Sequence, residues 1–307
     1  QFINSITHDI DDEIAVHSIQ TLCSFLFKVY EGSTSIVILD EYDSVFTKNL
    51  KLNEDIENFE SIKDFYFNFI QSTFKDNKFL VRGLITGVTN IPLFSNFNGA
   101  NNIKVYTTAA NKYLNCFGFV SDELFKLAEL FKLTEKVDQI EAMYSGYYFG
   151  SNVRLKVLNP WSIAQFLNDP SQFSNFWFVQ STNDFLKEVL RDGYLIVKDK
   201  FIRLMQGKSV KCRMTGNLLF QDYFDKSEET IWKILCSTGY LTIEKEEVEN
   251  NEQLKTSKIA YQLIIPNIEI MMSLSEIINE WFTQNGFDIE VFLEFFQNEK
   301  ISDMEFF

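Results

Sequence analysis

Residues 36–43 read Ile-Val-Ile-Leu-Asp-Glu-Tyr-Asp, and this stretch decides the expected fold. Ile36 to Leu39 form an uninterrupted apolar run, which predicts a strand buried on both faces of a parallel sheet. Two carboxylates, Asp40 and Glu41, follow at the carboxyl end of that strand. Sheets of α/β proteins that bind nucleotides place their reactive groups at this end. A core strand that ends in a solvated acidic turn is the alternative interpretation of the same residues.

Asp40 and Glu41 suit two roles in nucleotide hydrolysis. An Asp in this place holds Mg²⁺, usually through water, and a following Glu can orient or deprotonate the attacking water. The phosphate-binding motif Gly-x-x-x-x-Gly-Lys-Ser/Thr does not occur in the sequence, and Gly32-Ser33-Thr34 lacks its Lys. We therefore expect either part of a longer polypeptide or a relative of such enzymes that has lost its phosphate loop.

Composition narrows the class of protein. A chain of 307 residues allows two or three domains, and 46% apolar residues support a packed core. The net charge of −15 argues against binding nucleic-acid backbones through the general surface, because that binding depends on Lys and Arg displacing counterions. Phe201 to Arg213 is the best candidate for a local basic face, although a flexible solvated loop is the preferred interpretation.

Cysteine usage and hydropathy indicate the compartment. The four cysteines form no Cys-x-x-Cys pair and the chain has only two histidines, which argues against a structural zinc site. Free thiols in a reducing compartment are expected. The sequence shows no signal peptide and no membrane-length apolar run, so we expect an intracellular location, cytoplasmic or nuclear, without membrane association.

Hydrophobic periodicity predicts the order of elements. Helices are expected over 12–30 and 55–75, each before a buried strand, and Phe79 to Ile85 is the second of these strands. This alternation predicts a parallel α/β sheet. Arg82 is unusual within the second strand, because a buried Arg needs a partner. Either an acid near the strand end or an edge position of the strand would account for it.

Helices dominate the middle of the chain and a helix with a hairpin follows. The predicted helix starts are Ser121, Thr134, Asn159, Asn183, Ser227 and Ser273. The predicted hairpin pairs Tyr240 to Ile243 with Ile259 to Ile265, with a polar tip over 244–252. Helix followed by hairpin is typical of a winged-helix-like module. Its acidic tip favours packing or partner contact over DNA binding.

Short motifs in a fixed order, spread over roughly residues 20–285, carry a resemblance to a known family. They are Leu39-Asp40-Glu41-Tyr42-Asp43, Leu84-Ile85-Thr86-Gly87-Val88, Phe94-Ser95 with Asn98 and Asn101-Asn102, Phe117-Gly118-Phe119 with Glu123, Tyr144-Ser145-Gly146-Tyr147, Asn159-Pro160-Trp161-Ser162, Trp177 with Ser181-Thr182, Gly239-Tyr240-Leu241-Thr242, and Ile265-Pro266-Asn267 with Glu269. Together they resemble the predicted AAA-ATPase-like proteins, which are often fused to a PD-(D/E)XK nuclease-like domain. Ser145 stands where that family has Asp. The family's upstream P-loop region and its downstream nuclease-like domain do not occur in this sequence.

The resemblance implies an α/β fold with a partial RecA/AAA-like P-loop ATPase core over residues 1–110, which holds the Walker B and sensor strands. It implies a helical lid over 111–192 and a winged-helix-like region over 193–307. The implied function is an ATP-binding or ATPase module of a nuclease-associated protein. The alternative is a non-catalytic pseudo-ATPase that acts as a protein-binding scaffold.

The resemblance also implies site residues and cofactors. Asp40 is the expected Mg²⁺ ligand, Glu41 the water-activating base, and Thr86 a hydroxyl that contacts the γ-phosphate or the water. Asp43 and Asn102 are expected to support ATP binding. The alternatives are an acidic turn residue at Asp43, a turn-capping hydroxyl at Thr86, and an Asn102 side chain that bonds its own loop.

The cofactors implied are ATP and Mg²⁺. The expected partners are other protein subunits or missing N- and C-terminal segments of the same polypeptide. Contact with nucleic acid is expected only through a nuclease domain that this sequence lacks. Tyr144, Tyr147, Pro160 and Trp161 are expected to pack the lid, with core packing favoured for Trp161.

Overall fold

The structure is a computed structural model that describes residues 11–47, 56–75, 77–88, 102–151, 153–177, 197, 199–215, 227–251 and 256–284. It is a mixed α/β fold, which confirms the predicted class at this level. The chain divides into two compact units, residues 1–105 and residues 106–307. The predicted separation of a lid at 111–192 from a region at 193–307 stays a prediction. No helix of the described ranges is both long and apolar enough to cross a membrane.

The first unit alternates helices and strands as the hydrophobic pattern predicted. Its elements are α1 (Asp12–Val16), α2 (Ser18–Val29), β1 (Ser35–Leu39), α3 (Ser44–Thr47), α4 (Ile56–Phe74) and β2 (Leu80–Ile85). β1 and β2 pair in parallel, with Val37 opposite Gly83 and Leu39 opposite Ile85. This parallel pairing confirms the strand–helix–strand crossover through α4.

Helix α4 covers one face of this sheet. Tyr66, Ile70 and Phe74 are buried at intervals of four residues and so form one stripe along the helix. A Cβ atom on Gly83 would lie 2.5 Å from the Phe74 ring, so β2 needs glycine where the helix approaches most closely.

The other face of the β1–β2 sheet is open, and the expectation of strands buried on both faces is wrong. Ile36 and Ile38 are 65% and 66% exposed, whereas Val37 and Leu39 between them are half-buried. Leu84 is also exposed. An apolar run specifies a strand but not how many of its faces are covered, and the described residues supply helices to one face only.

The second unit begins with a helical layer. Its elements are α5 (Ser121–Phe131), a 3₁₀ turn (Thr134–Lys136), α6 (Val137–Tyr144), β3 (Tyr147–Phe149), β4 (Leu155–Val157) and α7 (Pro160–Asn168). The antiparallel pair β3–β4 joins α6 to α7. The three helices share one core, which includes Leu124, Ile140, Tyr144 and Phe166.

The remainder of the second unit has a helix and a three-stranded sheet. Its elements are a helical segment over 199–205, β5 (Val210–Arg213), α8 (Glu228–Ser237), β6 (Thr242–Asn251), β7 (Thr256–Ile264) and α9 (Ile268–Gln284). The strand order is β5-β7-β6, and both pairings are antiparallel. α8 and α9 pack on this sheet through Trp232, Ile270 and Leu274, which are all fully buried.

Two predictions about this sheet need correction. Residues 244–251 belong to β6 and not to a flexible tip, because they continue the pairing with β7 as far as Asn251 opposite Thr256. The segment from Phe201 to Arg213 is not a loop, because Phe201 is buried in a helix and Val210–Arg213 forms β5. Polar composition suggested flexibility in both segments, but pairing with β7 holds residues 210–213 and 244–251 in the sheet.

The candidate basic face of this segment is partly neutralised. Lys211 on β5 forms an ion pair with Glu247 on β6 at 3.0 Å, and Lys245 also contacts Glu247, at 3.3 Å. Arg154, which lies outside this segment, pairs in the same way with Glu246 on β6 at 2.6 Å. Cations that already face carboxylates are poorly placed to displace counterions from a phosphate backbone.

Helix caps show where sequence signals succeeded. Asn159 accepts from the Trp161 N–H at 3.0 Å and Ser227 accepts from the Thr230 N–H at 3.3 Å, which confirms both as N-caps. The prediction that Ser121 caps a helix is wrong, because Ser121 is the first residue of α5 and Val120 is its cap residue. The prediction that a helix starts at Ser273 is also wrong, because Ser273 is buried in the interior of α9.

The helix starts near Thr134 and Asn267 also differ from the prediction. Thr134 is not a cap either, because it begins the 3₁₀ turn that Leu133 precedes, and Lys136 precedes α6. Asn267 precedes α9, and its Oδ1 accepts from the Ile270 N–H at 3.0 Å. Asn183 lies outside the described residues.

A close backbone approach at Gly146 makes the second unit sensitive to one methyl group. Gly146 has φ +105°, and a Cβ atom there would overlap the Pro266 carbonyl oxygen. We expect Gly146→Ala to lower the free energy of unfolding by about 3 kcal/mol or more, measured by urea denaturation. Gly207→Ala is the matched control, because Gly207 has φ +72° and open space around its Cα. It should cost about 1 kcal/mol, and equal losses at the two sites would contradict the packing described.

Candidate functional site

The carboxyl ends of β1 and β2 lie side by side because the strands are parallel and in register. The Thr86 N–H donates to the Leu39 carbonyl and the Tyr42 N–H donates to the Thr86 carbonyl, both at 2.9 Å. These two bonds continue the strand pairing past the last paired residues. Asp40, which follows β1, is thereby placed next to Thr86, which follows β2.

The Asp40 carboxylate is oriented by its neighbours. Its Oδ1 atom accepts a hydrogen bond from the Thr86 hydroxyl and another from the Glu41 N–H, the latter at 3.0 Å. Neither bond uses Oδ2, and the residue is exposed to solvent. The site therefore presents one fixed carboxylate whose second oxygen is available to a ligand or to a hydrated ion.

Glu41 adopts a backbone conformation that is uncommon for its residue type. Its φ is +49°, in the left-handed region, and its side chain is exposed. Such a residue usually carries a small conformational cost that the surrounding structure must offset, and these residues are frequent at functional sites. The structure thus brings together three of the predicted site residues: Asp40, Glu41 and Thr86.

Asp43 is a buried carboxylate next to these three residues. Its side chain is buried, and its Oδ2 atom accepts from the Val88 N–H at 3.0 Å. A Cβ atom on Gly87 would lie 2.7 Å from Asp43 Oδ1, so the turn after β2 passes close against this carboxylate. Asp43 therefore ties the turn after β1 to the turn after β2. Its predicted role in ATP binding stays a prediction.

Tyr66 is a part of this cluster that sequence reasoning missed. Its hydroxyl donates to the Tyr42 carbonyl at 2.6 Å and holds the turn after β1 against α4. Burial, with a smaller effect from the negative charge of Asp43, raises the pKa of Tyr66 to about 12, so the hydroxyl keeps its proton at neutral pH. Tyr66 lies on the apolar stripe of α4, and nothing in that pattern distinguishes it from a core residue.

Asn102 is not brought into the cluster. Its side-chain amide donates to the Phe74 carbonyl at 2.9 Å and so caps the carboxyl end of α4. That helix end leads into the amino end of β2, whereas Thr86 follows the carboxyl end of the same strand. Phe94, Ser95, Asn98 and Asn101, which belong to the same predicted segment, lie outside the described residues.

We call Asp40, Glu41, Asp43, Tyr66 and Thr86 the strand-end cluster, and this cluster suits some metals better than others. Within the described ranges, no group of three or more His, Cys, Asp or Glu side chains is placed to hold a metal ion. Mg²⁺ does not need such a cage, because it is usually held by one or two carboxylates, water and the phosphates of a nucleotide. The exposed Asp40, with one carboxylate oxygen unused, fits that requirement.

Arg82 lies away from these acids, which resolves its unusual position. It is exposed, and its guanidinium donates to the Val81 carbonyl at 3.2 Å. The strand is open on the Arg82 side, so the charge needs no buried partner. The alternative of a pairing with an acid near the strand end is not seen.

Ser145, Ser162, Trp177, Asn267 and Glu269, each from one of the short motifs, meet in a buried polar network of the second unit. Glu269 at the start of α9 is fully buried, and the Ser162 hydroxyl lies 3.0 and 2.8 Å from its two carboxylate oxygens. The Trp177 N–H donates to Glu269 at 3.0 Å. Residues far apart in the sequence are thus joined around a single carboxyl group.

Asn267 extends this network to the turn after α6. Its side-chain amide donates to the Ser145 carbonyl at 2.8 Å, beside the close approach of Gly146 to Pro266. The Tyr148 N–H donates to the Thr242 hydroxyl at 2.9 Å and links β3 to β6. These motif residues hold elements together, so their immediate role is structural.

The four residues that were expected to pack the lid differ in how deeply they are buried. Tyr144 is fully buried, and burial raises its pKa to about 12. Burial also raises the pKa of the Tyr147 phenol. Pro160 opens α7. Core packing is wrong for Trp161, which is 43% exposed because it occupies the first turn of α7 on the side away from Ser162 and Ile163, both fully buried.

Comparisons with known proteins return no relatives. No protein-family model matches the chain, and neither a curated protein nor a solved structure matches it.

Burial raises the pKa of Glu269, although its hydrogen bonds to Ser162 and to backbone N–H groups oppose this effect. A raised pKa means that the folded state binds the proton more tightly than the unfolded chain. The contribution of Glu269 to stability is therefore fully present in acid and is lost as pH rises from the ordinary Glu range through the raised pKa. The Ser162 geometry agrees, because a hydroxyl has one proton and a protonated carboxyl can donate back to it.

We expect Glu269→Gln to remove this pH dependence, because its amide can donate to Ser162 while its carbonyl accepts from Trp177. The free energy of unfolding, measured by urea denaturation from pH 4.5 to 8, should fall less steeply with pH than in the unmodified chain. Glu276→Gln is the matched control on the exposed side of the same helix and should leave the slope unchanged. Parallel slopes for Glu269→Gln and the unmodified chain would refute a proton held at Glu269.

Proposed function

We propose that the first unit is an ATP-binding or ATPase module of the AAA-ATPase-like kind. The observation that carries this proposal is the hydrogen bond between the Thr86 hydroxyl and the Asp40 carboxylate at the carboxyl ends of adjacent parallel strands. The exposed Glu41 carboxylate follows directly in the sequence. An acid pair on one strand and a hydroxyl on the next suit a nucleotide site at this edge of a sheet.

Each residue has a distinct role in this proposal. Asp40 would hold a hydrated Mg²⁺ ion through the oxygen that its hydrogen bonds leave unused. Glu41 orients the attacking water and accepts its proton, and Thr86 keeps the Asp40 side chain in place and offers its hydroxyl oxygen towards the reacting end. When bound with ATP, Mg²⁺ neutralises charge on the β- and γ-phosphates.

Phosphate binding in this proposal needs residues beyond the strand-end cluster. The sequence has no Gly-x-x-x-x-Gly-Lys-Ser/Thr motif, so the loop that cradles the phosphates must come from another segment or another subunit. Association with a nuclease rests on the family resemblance alone. It forms part of the proposal on that basis.

The test of catalysis is Glu41→Gln in the intact polypeptide. Loss of the carboxylate should lower ATP turnover about 100-fold or more, because a positioned general base contributes that much. Binding of Mg-ATP, measured by calorimetry, should change less than about twofold, because Glu41 does not hold the nucleotide.

Glu31→Gln is a matched control in the same unit. Glu31 is also an exposed Glu with positive φ (+51°), but it lies in the turn before β1, at the opposite end of that strand from Asp40. Its variant should turn over ATP at the unmodified rate. Unchanged turnover in Glu41→Gln would end the assignment of Glu41 as base.

A second candidate function is a non-catalytic scaffold. The open apolar face of the β1–β2 sheet favours it, because a large exposed apolar surface is typical of a protein-binding site. Mg-ATP binding separates the two candidates. A scaffold should show none even when the flanking polypeptide is present, whereas an ATPase module should bind with or without the Glu41 carboxylate.

A further inference from the structure

The backbone of Glu41 is held on both sides of its unusual conformation. Its N–H donates to Asp40 Oδ1 at 3.0 Å, and its carbonyl accepts from the Ser44 N–H at 2.9 Å. The next residue, Tyr42, donates its N–H to the Thr86 carbonyl at 2.9 Å. These bonds orient the two peptide planes that flank Glu41. The orientation of those planes sets its φ of +49°, because φ and ψ are the only soft torsions between them.

Tyr42 anchors this turn. It is buried, and its ring lies so close to Gly87 that a Cβ atom on Gly87 would overlap the ring. Its carbonyl accepts a hydrogen bond from the Tyr66 hydroxyl at 2.6 Å. Since its N–H donates to Thr86, both backbone polar groups of Tyr42 are paired. The peptide planes on both sides of Tyr42 are thereby fixed.

Tyr66 differs from the other three residues that hold the backbone of Glu41 and Tyr42. Those three belong to the turn after β1 or to the end of β2, whereas Tyr66 belongs to α4. It therefore ties the turn that carries Glu41 to the helix that covers the sheet. Burial raises the pKa of Tyr66 to about 12, so its hydroxyl remains a hydrogen-bond donor at neutral pH.

The left-handed conformation of Glu41 needs such support. Residues other than glycine populate this region sparsely, and they persist there only where the surrounding structure holds them. Loss of the bond from α4 would allow the peptide planes of the turn to rotate towards more common conformations. The Glu41 side chain leaves the same backbone, so this rotation would move its carboxylate relative to Asp40 and Thr86.

We infer that Tyr66 is a positioning residue for the Glu41 carboxylate and acts through the Tyr42 carbonyl. The inference rests on the proposed function, because it gives Tyr66 a part in the turnover that Glu41 supports. Tyr66 is buried behind the turn and touches neither ATP nor the attacking water in this assignment. It should therefore affect the chemical step and leave nucleotide binding unchanged.

Tyr66→Phe in the intact polypeptide removes one hydroxyl and keeps the ring. Its kcat for ATP should fall about tenfold or more, because misplacing a catalytic group by about 1 Å can slow a reaction about 100-fold. The KM for Mg-ATP should change less than about twofold.

Tyr144→Phe is the matched control in the second unit. Tyr144 is also buried, and its hydroxyl also donates to a backbone carbonyl, that of Ser174, at 3.0 Å. The control variant therefore loses the same kind of hydrogen bond and should keep the unmodified kcat. Urea denaturation checks that both variants are folded under the assay conditions.

A double variant separates positioning from stability. In the Glu41→Gln background, Tyr66→Phe should change turnover less than about twofold, because the carboxylate that it positions is already absent. A Tyr66 that only stabilises the unit would instead lower turnover by the same factor in both backgrounds.

Amide hydrogen exchange tests the restraint on the turn without ATP. The Tyr42 N–H should exchange about tenfold faster in Tyr66→Phe, because the turn opens more often once its carbonyl is released. Exchange at the unmodified rate would overturn the inference, since the turn would then be held without Tyr66.

The activity measurements distinguish failure of the inference from failure of the proposed function. No turnover by the unmodified polypeptide would overturn both. Turnover that Tyr66→Phe leaves unchanged would overturn the inference alone, and so would equal losses in the two Glu41 backgrounds. An equal loss of kcat in Tyr144→Phe would also overturn it, because any buried tyrosine hydroxyl would then have the same effect.

Discussion

The parallel pairing of β1 and β2 is the constraint on which the first unit depends. It is made of backbone hydrogen bonds, and it continues into the turns, where Thr86 bonds both Leu39 and Tyr42. The pairing brings Asp40 and Thr86 together although they lie 46 residues apart in the chain. Without it, the acids after β1 would be an ordinary solvated turn.

Side chains then fix what the backbone has brought together. Tyr66 reaches from α4 to the turn after β1, and Asp43 reaches from that turn to the one after β2. Gly87 permits this close approach because it has no side chain. The outer residues, Asp40 and Glu41, remain in contact with solvent.

The sequence could predict elements whose signals are local. The apolar run at Ile36, the helical period of α4 and the caps at Asn159 and Ser227 all act within a few residues, and the structure contains them. The family resemblance supplied Asp40, Glu41 and Thr86 as expected site residues, and the parallel pairing places them at one edge of the sheet.

The failures share a physical cause, which is that they depend on distant residues. Whether a strand has one or two covered faces depends on what packs on it, so the exposure of Ile38 could not be read from its apolar neighbours. The length of β6 depends on its pairing with β7. The hydrogen-bond partners of Tyr66 and Glu269 lie far from them in the sequence, so no local pattern indicated these contacts.

The exposed side chains of Ile38 and Leu84 lie on the same two strands that carry Asp40 and Thr86 at their ends. Ile38 lies two residues before Asp40, and Leu84 lies two residues before Thr86. A sheet of two strands with one covered face holds its ends less firmly than a sheet packed on both sides. Any contact made on Ile38 and Leu84 would restrict the same backbone that positions the Asp40 carboxylate and the Thr86 hydroxyl. The preorganisation that the proposed catalytic site needs would therefore depend on how firmly this two-stranded sheet is held.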